Sequence, residues 1–335
     1  MALNRYSISV KGRFEELSAY FFGMWISVPN FVELISCIMK TMFDFTGLEY
    51  RKDKRFYHVY TKGLEDDVIF RDRSDYVAGM NYVPIAIHIS KVAMLVFVLM
   101  SNHVHFVIYA THDEATKFID TYKRLISRYI CNKYCVHGLM RSVKTSCSEV
   151  DMNTESLMRL ISYVLNNPPK AGIDAHPQTY EWGSGCCYFS NFDVNLATTP
   201  LSDLSVRECC RVLKSQVKLP GDMRLSPYGY ISPFSYIKAG FVESLFRTPK
   251  SMQFYLSTSN RTESNNEGPI VFSDTFVIQG LNELLNKKYE SLKVNELTQE
   301  LRKRVMFELK KRFNCPPKQL ARVLGVTLQT ILMDL

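Results

Sequence analysis

The feature that most constrains the fold is a pair of adjacent strand-like segments, the second of which begins with two histidines. Residues 92–100 form a continuous apolar run of β-branched and bulky side chains, which is typical of a buried strand. Residues 103–109 alternate like a second strand, and Ser101 and Asn102 connect the two segments. The pattern therefore predicts a β-hairpin.

Further elements surround this hairpin. The sequence predicts a strand at residues 55–62 and helices at residues 73–88, 114–134 and 153–167, with a loop-like stretch at 137–150. The last of these helices should end where Pro168 and Pro169 begin. Strands mixed with helices in this order predict an α+β domain with an antiparallel sheet.

Composition shifts divide the chain into five predicted parts. These are an N-terminal helical extension (1–54), a central α+β domain (55–195), an accessory segment (196–256), a polar linker (257–269) and a basic helical tail (270–335). Within the tail, the stretch QLARVLGVTLQTI has the outline of a helix, a glycine-containing turn and a second helix. This outline predicts a helix-turn-helix or a plain packed helix pair.

The two histidines of the hairpin lie at positions i and i+2 of a strand. His103 and His105 should therefore face the same side of the sheet, while Val104 faces the other side. Two converging imidazoles can share one metal ion, although backbone groups or water can also satisfy such a pair. His112 and His137 are candidate third ligands.

The predicted helix at 153–167 carries a second candidate group. Leu157, Leu160, Ile161 and Val164 share an apolar side, whereas Arg159, Tyr163 and Asn167 are spaced by four residues on a polar side. An exposed tyrosine flanked by polar groups usually has no function by itself. Tyr129, Tyr134, Tyr180 and Tyr188 are alternative candidates.

Together, the histidines and the tyrosine predict a reaction. A phenol is a poor nucleophile until a metal or a base assists it. A divalent ion bound by His103, His105 and an oxygen of Asn167 would polarise a DNA phosphate for attack by Tyr163. The product would be a covalent phosphotyrosine, which a free hydroxyl end can reverse without water or ATP.

The stretches LVFVLMSNHVHFVIYA and ISYVLNNPPKAGIDAHPQTYEWGS resemble the REP-associated tyrosine transposases, single-tyrosine members of the HUH (His-hydrophobe-His) endonuclease superfamily. The resemblance covers roughly residues 55–190. It implies a ferredoxin-like antiparallel sheet with helices on one face and a Mg²⁺ or Mn²⁺ cofactor. It also implies a metal-binding His103–His105 pair completed by Asn167, and Tyr163 as the nucleophile.

The chain departs from this family in two places. Ser101 stands where the family usually has proline, which we expect to affect only a turn. The segment at residues 137–147 is less aromatic and less basic than its family counterpart, which bears on the DNA structure that is recognised. The resemblance implies single-stranded DNA at a hairpin or repeat end as substrate, and both a monomer and a homodimer remain open.

The formal charge of +8 favours an anionic partner, and many of the cations cluster. The side chains predicted to contact DNA are Arg159, Lys123, Arg124, Arg128, Lys170, Lys310, Lys311, Arg312, Lys318 and Arg322. They could equally form solvated helix faces. Nine cysteines without a CxxC pair indicate reduced thiols in a cytoplasmic protein, and no apolar run predicts a membrane span.

Two other classes of function stay open. The chain could be a domesticated transposase that binds DNA without cleaving it, although both histidines and the tyrosine remain. It could also be a zinc enzyme that acts on other substrates, which the lack of a nearby third zinc ligand at a suitable spacing disfavours.

Overall fold

The computed structural model of the chain describes residues 45–62, 64, 67–136, 138, 143–173, 176–191, 198–258, 271–289 and 291–334. The chain divides into two units, Met1–Phe45 and Thr46–Leu335, and the described residues belong almost wholly to the second. Most of the predicted N-terminal extension, most of the predicted linker and His137 lie outside the described residues.

A four-stranded sheet forms the centre of the second unit. Its strands are β1 (Arg55–Thr61), β2 (Ala93–Leu99), β3 (Val104–Ala110) and β4 (Thr145–Glu149), in the spatial order β2-β3-β1-β4 and antiparallel throughout. Helix α1 (Arg73–Ser90) connects β1 to β2, and α2 (His112–Tyr134) connects β3 to β4. This βαββαβ connectivity is ferredoxin-like. The predicted hairpin and the α+β class are confirmed.

The remaining elements follow in the second half of the chain. They are helices α3 (Thr154–Leu165), α4 (Asn167–Lys170), α5 (Val206–Leu213), α6 (Ala239–Phe246), α7 (Pro249–Thr258), α8 (Asp274–Lys288), α9 (Gln299–Phe313), α10 (Pro317–Leu324) and α11 (Leu328–Asp334), and strands β5 (Thr199–Pro200) and β6 (Arg224–Leu225). None of the described helices is long and apolar enough to cross a membrane.

Strand β4 lies in the stretch predicted to be a loop. Its sequence, TSCSE, is polar and has no apolar alternation, and none of its five residues is buried. It forms the edge of the sheet and pairs only with β1. Backbone hydrogen bonds to β1 therefore stabilise a strand that side-chain periodicity could not reveal.

Helices cover both faces of the sheet, not one face as predicted. On the first face, Phe106 of β3 packs against Phe118 and Tyr122 of α2, with ring centroids 5.0 and 5.1 Å apart. On the second face, Phe56 of β1 stacks on Phe241 of α6 at 5.5 Å. Every residue of β3 is buried, which requires an apolar cover on each side.

A charged cluster joins the start of α1 to the end of α2. Asp72 caps α1 by accepting a hydrogen bond from the backbone N–H of Asp75, and the Nζ of Lys133 lies 2.6 Å from both carboxylates. Burial raises the pKa of Asp72, but hydrogen bonds from Lys133 and Ser74 outweigh this and lower it to about 2. The cluster holds the two helices of this layer together.

Helices α8 to α11 form a C-terminal bundle with its own apolar core, which includes Val277, Leu281, Val305, Leu309 and Ile331. Gly325 follows α10 in the left-handed region at φ 63°, as a glycine can without strain. The predicted order of helix, glycine turn and second helix is therefore present, with α10 and α11 as the two helices.

We expect Phe106→Ala to lower the free energy of unfolding by about 3–5 kcal/mol, because it removes a fully buried ring and leaves a cavity between β3 and α2. Urea denaturation measures this change. As a control, Phe254→Ala removes a ring that is 62% exposed and should change the value by less than about 0.5 kcal/mol. Equal losses in the two variants would contradict this account of the core.

Candidate active site

The two predicted histidines lie together at the start of β3. His103 is 1% exposed and His105 is fully buried, and their ring centroids are 5.0 Å apart at an interplanar angle of 90°. Val104 between them pairs with Leu99 of β2. Because strand side chains alternate, Val104 faces the layer of α1 and α2, whereas the histidines face away from it.

A neighbouring side chain holds the Nδ1 atom of each imidazole. The Nδ1 of His103 lies 2.8 Å from the Oδ1 of Asn102, whose Nδ2 donates to the carbonyl of Leu64. Since an amide oxygen only accepts, the Nδ1 of His103 donates in this contact, and a neutral ring would then carry its lone pair on the buried Nε2. The Nδ1 of His105 lies 3.1 Å from the Nε2 of His58.

His58 and Tyr60 are parts of this site that sequence reasoning missed. The antiparallel pairing of β1 with β3 places Tyr60 opposite His105 and His58 opposite Val107. The ring of Tyr60 lies 4.7 Å from that of His58 and 5.7 Å from that of His105. Their spacing of two residues in a predicted strand was a signal that they share a face, but the register that brings them to His105 could not be read.

Tyr163 lies beside His105 on the same face of the sheet. Its ring centroid is 6.1 Å from that of His105 and 6.3 Å from that of His58, nearly perpendicular to both. Helix α3 takes this position because Leu157, Ile161 and Val164 are fully buried, which leaves Tyr163 half-buried at the boundary. The structure thus brings together three side chains that lie far apart in the sequence.

Lys170 and Asn167 flank the tyrosine at the end of α3. The Nζ of Lys170 lies 4.6 Å from the centre of the Tyr163 ring. The amide of Asn167 donates to the carbonyls of Tyr163 and Val164 at 3.2 and 3.3 Å, so it secures the end of the helix. Its predicted role as a metal ligand stays a prediction.

The helix break occurs two residues earlier than predicted, and the chain then makes one more helical turn. Helix α3 ends at Leu165, and α4 begins at Asn167 with Pro168 and Pro169 in its first turn. Proline is tolerated there because the first N–H groups of a helix have no intrahelical acceptor. This turn places Lys170 back over Tyr163.

Further metal ligands are not gathered at the site within the described residues. His112 lies near Tyr57, with ring centroids 5.9 Å apart, and Tyr57 pairs with Ile108 on the sheet face opposite His105. No group of three or more His, Cys, Asp or Glu side chains in the described part of the chain is arranged to hold a metal ion. The candidate donors are therefore the two imidazoles and the predicted oxygen of Asn167, a mixed nitrogen and oxygen set that fits a divalent cation when further oxygen ligands complete it.

The alternative tyrosines are engaged elsewhere. The hydroxyls of Tyr180 and Tyr188 donate to backbone carbonyls of β2, and burial raises the pKa of Tyr188 well above its usual value. The hydroxyls of Tyr129 and Tyr134 bind groups at the start of α1. Among the tyrosines considered as nucleophiles, Tyr163 alone lies at the histidines.

Four of the cations predicted to contact DNA have partners within the protein. Arg159 pairs with a glutamate one turn earlier at 2.6 Å, and Arg312 pairs with a glutamate of α8 at 3.3 Å. The Nζ of Lys123 donates to a backbone carbonyl at 2.7 Å, and burial lowers its pKa. Arg322 lies between two aspartates, each at 2.7 Å. Lys310, Lys311 and Lys318 are exposed on the C-terminal bundle.

Arg124 and Arg128 line a groove of about 1310 Å³ between α1, α2 and the residues that follow α5. We call it the basic groove, since Lys133 and Lys214 also line it and no acidic side chain does among the described residues. Lys133 is paired with two aspartates, whereas Arg124, Arg128 and Lys214 form no ion pair within the described part of the chain. The groove lies on the outer side of the helix layer, across the sheet from Tyr163.

No family model and no curated protein matches the chain. Among solved structures, that of a REP-associated tyrosine transposase bound to a REP hairpin is similar to this chain. The sequences are 12% identical, the match covers 53% of this chain and 98% of that chain, and the TM-score is 0.32. A likeness this distant assigns no activity to this chain.

We expect His58→Phe to weaken Mn²⁺ binding by roughly tenfold or more, because it removes the nitrogen that orients His105. Isothermal titration of the purified variant with MnCl₂ measures this effect. His112→Gln serves as the control, since it removes an imidazole on the opposite face and should leave the affinity unchanged. An unchanged Mn²⁺ affinity in His58→Phe would contradict the orienting role.

Proposed function

We propose that this protein is a metal-dependent DNA strand-cleaving and strand-transferring enzyme of the transposase type. Its substrate would be single-stranded DNA at a hairpin or repeat end. The observation that supports this proposal is the position of Tyr163 beside His105, 6.1 Å between ring centroids, on the sheet face that also carries His103. A phenol next to two oriented imidazoles is an arrangement suited to attack on a metal-bound phosphate.

A cationic side chain, that of Lys170, lies beside Tyr163. A phenol ionises with a pKa near 10 in water, so it needs help to attack at neutral pH. The ammonium of Lys170, 4.6 Å from the ring centre, favours a negative charge on the ring by Coulomb attraction. A Mg²⁺ or Mn²⁺ ion held by His103, His105 and Asn167 would polarise the phosphate and neutralise its charge when bound.

The proposed reaction exchanges one phosphodiester linkage for another. The Oη of Tyr163 attacks the phosphorus and loses its proton to water, so that a tyrosine–phosphate bond forms. The bond from phosphorus to the leaving strand breaks, and the leaving oxygen takes a proton to become a free hydroxyl end. A hydroxyl end of another strand can then attack the phosphotyrosine in the reverse direction. The balance needs no oxidant and no nucleotide cofactor.

A single-stranded substrate is proposed because the site is recessed. His103 and His105 are buried and Tyr163 is half-buried between α3 and the sheet. Duplex DNA is stiff over about 150 base pairs and does not bend sharply into such a recess. A single strand can do so, and a hairpin beside it would offer a shape to recognise.

The basic groove is the DNA-backbone contact that we propose. Three cations that form no ion pair within the described residues gather there, and the Nζ of Lys214 lies 4.4 Å from the centre of the Tyr129 ring on the groove wall. Arg124 and Arg128 are one helical turn apart, where like charges repel unless an anion lies between them. A phosphodiester backbone supplies such anions in a row.

We expect the protein to form a covalent adduct with a labelled hairpin oligonucleotide that has a single-stranded flank, in the presence of Mg²⁺ or Mn²⁺. Tyr163→Phe should abolish the adduct because it removes the attacking oxygen, and EDTA should do the same. Denaturing gel electrophoresis measures the adduct. Tyr228→Phe changes an exposed tyrosine away from the site and should leave the yield unchanged. An adduct that persists in Tyr163→Phe would refute the assignment of the nucleophile.

A DNA-binding protein without cleavage is the second candidate function. It is favoured by the finding that no group of three or more His, Cys, Asp or Glu side chains among the described residues is arranged to hold a metal ion. The same oligonucleotide assay separates the two candidates, because binding in a gel-shift experiment without any adduct would support the second one.

The triple variant Arg124→Gln, Arg128→Gln and Lys214→Gln should weaken DNA binding and reduce its salt dependence. Each lost phosphate contact lowers the slope of log affinity against log salt by about 0.9. Loss of all three should therefore lower it by about 2 to 3. Fluorescence anisotropy with the hairpin oligonucleotide, titrated between about 50 and 200 mM salt, measures the slope.

A charge-matched control separates the basic groove from general electrostatics. Lys52, Lys117 and Lys238 are exposed and lie outside the groove. Their combined replacement by glutamine removes the same net charge and should change the slope by less than about one unit. Equal slopes for the two triple variants would contradict a specific role for the groove.

A further inference from the structure

The C-terminal bundle is attached to the turn that carries the metal-site histidines. The turn at residues 100–103 connects β2 to β3, and His103 is its last residue. One side of this turn contacts Leu64, Ile69 and Phe70, and Ser101 also contacts Val271, three residues before helix α8 of the bundle. Two contacts, one made by Ser101 and one by Arg322, connect the bundle to this part of the protein.

The first contact is made by Ser101, for which the sequence predicted only an effect on a turn. Ser101 is fully buried, and its hydroxyl donates to the carbonyl of Val271. Its own carbonyl accepts from the N–H groups of Ile69 and Phe70 at 2.7 and 2.9 Å. Ser101 therefore connects three segments of the chain, and no water competes for these bonds.

The second contact is made by Arg322, which was predicted to contact DNA. Its side chain is 26% exposed and bridges Asp274 of the bundle and Asp67 of the segment before α1, at 2.7 Å each. Asp67 is itself buried, and removal of Arg322 would leave Arg71, at 3.6 Å, as its ion-pair partner among the described residues. Beside this bridge, the hydroxyl of Thr275 donates to the carbonyl of Arg71 at 2.9 Å.

Leu64, which lies three residues before the Asp67 partner of Arg322, binds Asn102. The Nδ2 of Asn102 donates to the carbonyl of Leu64, and this bond turns its Oδ1 toward the Nδ1 of His103. The N–H of Leu64 in turn donates to the carbonyl of Asn102 at 3.1 Å. A displacement of Leu64 would therefore change the acceptor that fixes the tautomer of His103.

We propose that Ser101 and Arg322 are positioning residues for His103, and that the C-terminal bundle is thereby part of the catalytic site. The chain next to the bundle contacts the turn through the hydrogen bond from Ser101 to Val271. The bundle itself contacts the chain near Leu64 through the ion pair of Arg322 with Asp67. The importance of this for catalysis rests on the proposed function, but the effect on His103 does not. A ligand that displaces the bundle would also disturb the site.

NMR of the imidazole nitrogens, in protein labelled at histidine and free of metal and DNA, tests the proposal. In the wild type, His103 should show one tautomer, with widely separated shifts for its protonated Nδ1 and unprotonated Nε2. In Ser101→Ala and Arg322→Gln, the two shifts should move toward each other as the tautomers mix. Arg322→Lys keeps one charge in place and should give an intermediate result, and it covers the case in which Arg322→Gln does not fold.

Arg312→Gln is the matched control, because it also removes an arginine–carboxylate pair of the bundle, but the carboxylate belongs to Glu283 of α8 and not to Asp67. Its His103 signals should equal those of the wild type. A second measurement is Mn²⁺ affinity by titration, which should fall by about tenfold in Ser101→Ala and remain unchanged in Arg312→Gln. His103 signals that stay at the wild-type positions in both folded Ser101→Ala and Arg322→Lys would overturn the proposal. A wild type that forms no DNA adduct would overturn the proposed function alone.

Discussion

The antiparallel pairing of β1 with β3 is the constraint on which the rest of the site depends. It sets Tyr60 opposite His105 and brings the Nε2 of His58 within 3.1 Å of the Nδ1 of His105. A shift of this register by one residue would turn every side chain of β1 to the other face. The buried residues of both strands oppose such a shift, because it would move Phe56 out of its contact with Phe241. Packing of the core thus fixes the geometry of the polar site.

Because the histidines are buried, their hydrogen-bond partners determine which ring nitrogen carries the proton. An imidazole in water exchanges its proton between both nitrogens, whereas a buried ring keeps the proton that its neighbour accepts. His103 is held by Asn102, and His105 by His58. Helix α3 packs its buried apolar side on the sheet and so excludes solvent from the histidines. The same helix carries Tyr163. The positions of the Tyr163 phenol and of the oriented imidazoles are therefore consequences of one packing arrangement.

Local patterns in the sequence were sufficient to predict the hairpin, the main helices and the α+β class, because each depends on periodicity within a short window. They also predicted that His103 and His105 share a face, which needs only strand alternation. The patterns could not reveal β4, whose stability comes from backbone pairing to β1, or the role of His58, which depends on register. They could not show that Ser101 and Arg322 bind partners about 170 and 255 positions away, since such contacts exist only in the folded chain.

The distribution of ion pairs changes how the basic tail is understood. Asp334 lies within 3.4 Å of both Arg302 and Lys303, and Glu308 binds Lys288, so much of the tail's charge holds the bundle together. Moreover, the second helix of the helix-turn-helix outline exposes Leu332 and Met333, at 60% and 72%, where base-reading helices present polar side chains. Among the described residues, Arg124, Arg128 and Lys214 of the basic groove form no ion pair and no acidic side chain lines the groove, so these cations are better placed to attract phosphates than the paired cations of the tail. Charge that stands out in a sequence is thus a poor guide to binding until its partners in the fold are known.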